Sequence, residues 1–254
     1  MINISVTHAA LLGLFYIYIL ATIHTIYTHR SLCHGAVVYN QRLVTVFHGI
    51  LWLFYSLQSR WWAANHKLHH KYSDTATDDI SPKNIGMLNA LLIAPAVTFF
   101  RAMTSFRKIE YPEDLELEQI VSKIPDTGFF YRYRPLGMWI NLAVHIVLFG
   151  WIGFGMWLCI LIVASYVGIA FGNGIVHLFG YQNFDNNDRS KNVFPIAIVF
   201  GGEELHNNHH RYPGRANFAY KWWEFDIGYF YICTLQRLGL AKIINDTKPS
   251  VNKI

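Results

Sequence analysis

The sequence predicts an all-α membrane protein, and two observations carry that prediction. Hydrophobic residues make up 53% of the 254-residue chain and charged residues only 15%. An ordinary soluble domain is less apolar and far more charged. The apolar residues also come in long runs. Residues 8–27, HAALLGLFYIYILATIHTIY, contain no Asp, Glu, Lys or Arg, and a helix of that length rises about 30 Å, one hydrocarbon core.

This first run is predicted to be a retained span, because no basic residue precedes it as in a signal peptide. Residues 43–59, LVTVFHGILWLFYSLQS, form another uncharged run. Residues 86–100 form a shorter one, broken by Pro95. The stretch 101–135 is polar, and its RKIEYPEDLELEQ segment reads as solvated. Residues 136–176 make an uncharged tract of 41 residues, too long for one span and enough for two. Gly150, Gly153 and Gly155 sit near its middle, where a tight reversal fits. Residues 179–195 are a loop by composition, and the tail from 242 is expected to fray. With no linker, repeat or low-complexity tract, residues 1–254 are expected to form a single domain. Cys33, Cys159 and Cys233 are too few and scattered for a disulfide framework and are expected to be buried free thiols. The net charge of +5 is carried beside the apolar runs, so membrane orientation and anionic head groups account for it, and no nucleic-acid partner is expected.

Thirteen histidines are present, and nine follow a pattern. HRSLCH supplies His29 and His34 just past the first run, and HKLHH supplies His66, His69 and His70. NGIVH places Asn173 and His177 at the end of the long tract, and HNNHH supplies His206, His209 and His210. On a helix, positions i, i+3 and i+4 lie within about 100° of one another, so each HxxHH can aim three imidazoles at one point. His29 and His34 diverge by about 140° on an ideal helix. Either the helix ends between them or they serve different ions. Nine neutral nitrogens exceed the capacity of one ion and suit two. Imidazole alone does not choose the metal, but a cluster this rich in His is unlike a closed zinc site and argues for a larger, open one; the choice of iron rests partly on the resemblance given below. His8, His24, His48 and His145 stand singly in apolar runs and are read as structural, and Cys33 as packing. Glu203, Glu204, Asp74, Asp78 and Asp79 lie beside the clusters, where carboxylates can take the second N–H of a metal-bound imidazole.

All the clusters must meet on one side of the membrane. Had residues 43–59 crossed fully, His66 would emerge opposite His29, so that run is expected to be interfacial or re-entrant. Lys67, Lys71, Lys83, Arg101, Arg107 and Lys108 flank the histidine side, and the turn near Gly150 carries no charge, so the histidines are predicted to be cytoplasmic. The predicted fold is therefore about three full transmembrane helices, interfacial or re-entrant helices, and a cytoplasmic histidine-rich metal-binding cap.

HxxxxH, HxxHH and HxxHH, in that order and after apolar spans, resemble the integral-membrane fatty acid desaturases, most closely the acyl-CoA branch of stearoyl-CoA, delta-9 type. THRSLCH, NHKLHHKYSD and GGEELHNNHHRYP carry the resemblance, GGEELHNNHH is similar to bacterial members, and FDIGYFYICTLQRLGLAKI extends it, so that it covers roughly residues 10–243. It implies a di-iron centre held by His29, His34, His66, His69, His70, His177, His206, His209 and His210, with Asn173 contributing through a water. It also implies O2 as co-substrate, a cis double bond placed in a long saturated acyl chain, and electrons from an external carrier protein and reductase. The implied location is a multi-pass membrane protein, in the plasma membrane if the source is bacterial. Two departures stand out. Well-studied eukaryotic members have a span before the first one here, so the N-terminus is expected outside, and the family's DPH reads DDI at Asp78, Asp79 and Ile80. A related hydroxylase would share the metals and differ in product. A metal transporter is disfavoured because the spans lack Asp and Glu. Trp52, Trp61, Trp62, Trp222 and Trp223 are candidate walls of an acyl slot, and Lys67, Lys71, Arg101, Arg107 and Lys108 are candidate partners of a CoA head group.

Overall fold

The computed structural model describes residues 1–55, 59–78, 81–97, 119–120 and 128–246. Asp79, Ile80, Arg101, Arg107, Lys108 and most of the polar stretch 101–135 lie outside the described residues.

Helix α1 (Val6–Ile23) begins at Ser5, whose side chain accepts from the His8 amide. It continues directly into a widened, π-type helix, π1 (His24–Cys33). Among the described residues, Val6–Cys33 is one of two stretches long and apolar enough to cross a membrane, and Pro135–Leu178 is the other. The second stretch is doubled back on itself. Within its main helix (Arg134–Ile169, labelled α6 below), Gly150 leaves helical geometry at φ 61°, ψ −138°. A Cβ on Gly153 would strike the carbonyl of His145. Residues eight apart are about 12 Å apart along a straight helix, so the chain reverses here, and Met138 packs in one cluster with Trp157 and Leu161. The reversal expected near three glycines is thus made at Gly150. Ile2 N–H donates to Leu148 at 2.6 Å, so α1 starts beside the turn. Met156 and Ile160 then pack against α1 at Gly13.

Helix α2 (Gln41–Tyr55) has 15 residues, about 22 Å of rise against a hydrocarbon core of about 30 Å. It leans on the first arm of the doubled stretch, where Trp52 donates to the Tyr133 carbonyl at 2.9 Å and covers Gly137. The histidine-bearing α3 (Ser59–Tyr72) follows, then short α4 (Pro82–Ile85) and π2 (Asn89–Ile93). After α5 (Phe129–Arg132) and α6, the second arm ends in π3 (Ala170–Ile175) and α7 (Val176–Leu178), and α8 (His206–Arg211) and α9 (Ile227–Arg237) follow.

The chain is mostly helical but not wholly so. β1 (Val37–Tyr39) pairs antiparallel with β4 (Ala241–Ile243), and β2 (Ile196–Ala197) pairs parallel with β3 (Phe225–Asp226). Strands of two or three residues leave no alternation to read in a sequence. The β1–β4 pair also corrects the expectation for the tail: residues 241–243 are paired, Ile244 N–H bonds Ala36 and the Asn245 carbonyl accepts from Ala216. Cys33 is buried as expected, whereas Cys159 is exposed and Cys233 intermediate, because apolar helix faces in this chain need not face protein.

A buried ion pair joins π1 to the C-terminal half. Arg30 donates to both oxygens of Asp226, at 2.8 and 3.1 Å, and to the carbonyls of Ala216 and Gly201. Its guanidinium lies 3.7 Å from the centre of the Phe218 ring. Both charged side chains are essentially inaccessible, at 0% and 1%. Gly202, at φ 103°, has no room for a Cβ against Asp226 and Arg30. Removing one partner of such a pair costs about 3–5 kcal/mol. Asp226→Ala and Arg30→Met are each expected to lower the unfolding midpoint in detergent sharply. The double variant should lose less than the sum of the two, which a thermal-unfolding double-mutant cycle checks.

Candidate metal centre

Four chain segments bring nine histidines to one place. His29, His34, His66, His70 and His209 form one group, and His69, His177, His206 and His210 a second; within each, one ring nitrogen per residue lies within 4.8 Å of the others. The groups touch, since the His70 and His210 rings are 4.4 Å apart and the His66 and His69 rings 5.8 Å.

Local geometry differs from the sequence-based expectation in two respects. Each HxxHH divides instead of aiming three rings at one point. Counting from the first histidine, the ring at i+4 lies about 40° to one side and that at i+3 about 60° to the other. The first and last rings therefore pair, as His66 with His70 and His206 with His210, while His69 and His209 cross to the opposite group. Secondly, His29 and His34 join one group although the helix, here π1, does not stop between them. In π1 the His34 amide bonds the His29 carbonyl at 3.1 Å, an i→i+5 closure that sets residues five apart nearly above one another. Their rings are 5.0 Å apart.

The second nitrogens are held from outside. His29 Nδ1 donates to Glu203 at 2.7 Å, His177 Nδ1 to Asp74 at 3.0 Å and His210 Nδ1 to Asp188 at 2.7 Å. His69 Nδ1 lies 3.7 Å from Asp78, near enough for charge but not for a hydrogen bond. A proton on Nδ1 leaves the Nε2 lone pair facing inward. Burial, then neighbouring histidines, holds His34, His66, His70, His206, His209 and His210 well below the ordinary imidazole pKa, so these rings are neutral and able to ligate. Burial alone would raise the carboxylates of Glu203 and Asp74. Histidine and hydroxyl partners, with the Arg189 amide for Asp74, outweigh it and keep both ionised. Glu204 faces elsewhere: it accepts the amides of Val199, Phe200 and Gly202, and burial raises its pKa.

These residues fit metal ions. Nε2 of His209 lies 2.9 Å from that of His29 and 2.8 Å from that of His70, which is 3.0 Å from that of His66. Such spacings match the ~2.9 Å between ligands at right angles around an ion with bonds of ~2.0–2.1 Å. In the second group, Nε2 of His69, His177, His206 and His210 is buried without a hydrogen-bond partner. Each such atom costs about 1–3 kcal/mol unless something satisfies it. Asn173 is half-buried in π3, four residues before His177.

Other expectations fall outside the groups. His8 bonds Ser5, His48 bonds Tyr27 and His145 bonds the Asn141 carbonyl, while His24 packs edge-on against Trp62. Cys33 donates to the Ala63 carbonyl at 3.3 Å. Trp62 stacks on His66 at 4.7 Å, whereas Trp222 is 93% exposed; the side chain of Trp61 lies outside the described residues. Sequence reasoning missed Arg30, Asp188, Asn207, Asn208 and Glu224. Asn207 takes the amides of Asn183 and Phe184, and Asn208 donates to Glu224 and Phe218, fixing the loop behind α8. Their place between histidines in HNNHH was the available signal, because a buried helix turn needs its polar side chains satisfied.

The chain matches the family model described as "Fatty acid desaturase" over residues 6–226. It is 32% identical over 187 residues to an sn-1 stearoyl-lipid 9-desaturase of Synechocystis sp., covering 72% of this chain and 54% of that protein. It is 33% identical over 196 residues to an sn-2 palmitoyl-lipid 9-desaturase of Nostoc sp., covering 74% and 64%. An acyl-CoA 5-desaturase of Anemone leveillei is 28% identical over 185 residues, covering 71% and 54%. The chain thus spans less than two thirds of the length of these relatives.

His206→Ala is expected to lower metal affinity by more than the ~10–100-fold that loss of an outer hydrogen-bond partner costs. Metal analysis of the folded, purified variant checks this, and a wild-type metal content would count against the site.

Proposed function

The chain belongs to the fatty acid desaturase family, and on that premise we propose that it is an O2-dependent desaturase of long-chain saturated acyl groups. The centre would be a di-iron one held by the nine histidines, with Asn173 contributing through a water. The observation that carries the reading is the pair of touching histidine groups with inward-facing nitrogens. When bound, the iron pair supplies the oxidising power, drawn from O2 and two electrons from an external carrier protein and its reductase, that breaks two unactivated C–H bonds. The balance is one CH2–CH2 unit, O2, two electrons and two protons giving CH=CH and two waters.

The chain's own residues have narrower tasks. Glu203, Asp74 and Asp188 keep Nδ1 protonated and the rings oriented. Trp62, stacked on His66, and Phe218, 4.5 Å from His209 and 5.6 Å from His29, shield the five-histidine group from water. The cap sits where the apolar helices end, which suits a substrate whose chain lies among apolar walls and offers no polar handle at the reacting carbons.

The acyl carrier is the finer question. The resemblance and the exposed Lys67 and Lys71 favour CoA, whereas two relatives are named for lipid-linked chains. Purified enzyme given O2 and a reducing system is expected to yield a cis-monounsaturated product, near the ninth carbon, from stearoyl-CoA. Product from a stearoyl phospholipid alone would reject CoA, and a hydroxylated product from either would reject desaturation in favour of the hydroxylase reading.

We further propose one multi-pass domain over residues 1–254, with the histidine cap cytoplasmic and the uncharged Gly150 reversal on the other face. In a cysteine-free background, Trp151→Cys, at a residue 87% exposed, should react with an impermeant maleimide added outside intact cells. Lys83→Cys should react only after lysis. Labelling of Lys83→Cys from outside with Trp151→Cys reacting only after lysis would reverse the orientation, and labelling of both from outside would overturn the two-face topology.

A further inference from the structure

We propose that Asp74 and Asp188 act as one clamp on the four-histidine group, so that they govern the holding of one ion of the pair while Glu203 governs the other. The proposal rests on the metal reading above and goes beyond it by assigning separate outer supports to the two positions.

Asp188 accepts from His210 Nδ1 at 2.7 Å, and its other oxygen takes the Ser190 amide at 2.8 Å and the Ser190 hydroxyl. Asp74 accepts from His177 Nδ1 at 3.0 Å with the same oxygen that takes the Arg189 amide at 2.7 Å. The residue following Asp188 is therefore bonded to Asp74, and two loops far apart in sequence close on His177 and His210 together. Asp74 is itself fixed from several sides. Its amide donates to Asp78 at 3.0 Å, its carbonyl accepts from Lys83 Nζ at 2.9 Å, and Ser81 donates to its second oxygen. Its backbone is left-handed, φ 57°, a conformation that costs most L-residues about 1–2 kcal/mol but that Asp and Asn adopt more readily. Both histidines of the clamp belong to the four-histidine group, whereas His29, the partner of Glu203, belongs to the five-histidine group. A carboxylate on Nδ1–H orients the ring and raises its donor strength, so each support acts on the ion that its own histidine faces.

The test compares iron-loaded wild type with Asp74→Asn, Asp188→Asn and Glu203→Gln. Asn suits the left-handed position and keeps an acceptor while removing the charge, so the fold is spared. Iron is counted after dialysis against graded chelator, and isotopically enriched samples are examined by Mössbauer spectroscopy. Wild type should retain two ions. Asp74→Asn and Asp188→Asn should each release one ion at ~10–100-fold lower chelator and alter the same one of two iron signals. Glu203→Gln should alter the other signal. Two ions in wild type that leave the variants in step, or one signal altered alike by Asp188→Asn and Glu203→Gln, would overturn the clamp alone. Fewer than two ions in wild type would overturn the metal reading, and the clamp with it.

Discussion

The pairing of Arg30 with Asp226 is the interaction on which the arrangement of the cap depends. Arg30 follows His29 directly, at the end of the first apolar helix, and Asp226 lies beyond HNNHH. The guanidinium holds Asp226, Ala216 and Gly201 at once, so His29 and the segment bearing His206, His209 and His210 are fastened to one point. Five donors in a fixed fork suit Arg for this task, and Lys could not hold three acceptors in the same plane. The second glycine of GGEELHNNHH, and Gly228 beyond it, follow from the same contact. Gly202 has no space for a side chain against the ion pair, and a Cβ on Gly228 would meet the Gly201 carbonyl and the Arg30 guanidinium. A buried pair of this kind is weak evidence for net stability. Its value here is register, since it determines which backbone lies over the histidines.

With register set, the remaining freedom is in the rings. A neutral imidazole can carry its proton on either nitrogen, and only one choice turns a lone pair inward. The carboxylates at Glu203, Asp74 and Asp188 make that choice for His29, His177 and His210. The asparagines within HNNHH do a different job. They face away from the rings and satisfy the loop 183–192, so α8 can be buried on both sides although it has only six residues. One short motif therefore supplies the ligating face and its own backing.

Much of this was legible in the sequence, for identifiable reasons. The apolar runs are long, and their length alone marks Val6–Cys33 and Pro135–Leu178. The nine histidines were found because four short motifs at the ends of apolar runs are hard to explain otherwise. What could not be read depends on relations between distant segments. Asp188 sits in a loop whose composition marks only a loop, and Arg30 looks like an ordinary basic residue after a span. The division of each HxxHH between two groups needs a second helix to divide against. The widening of π1 left no pattern at all, because His29 and His34 at i and i+5 read as divergent on an ordinary helix.

That widening connects the apolar half of the molecule to its chemistry. Helices with i→i+5 closure are rare and concentrate at functional sites, and here they end both long apolar stretches: π1 runs up to His34, and π3 leads into His177. An α-helix rising from the apolar layer fixes the height of each residue and its direction together, in steps of about 100°. Inserting wide turns separates the two. The apolar packing of α1 against Met156 and Ile160 can set depth, while π1 independently rotates His34 beneath His29. At π3 the absence of a side chain on Gly174 permits close approach, since a Cβ there would come within 2.8 Å of Leu91 in π2. Depth, azimuth and tautomer are thereby assigned to different parts of the chain: apolar packing, widened turns and carboxylates. A change in one need not disturb the others, so a substitution on the apolar face can shift α1 while the nine rings keep their places.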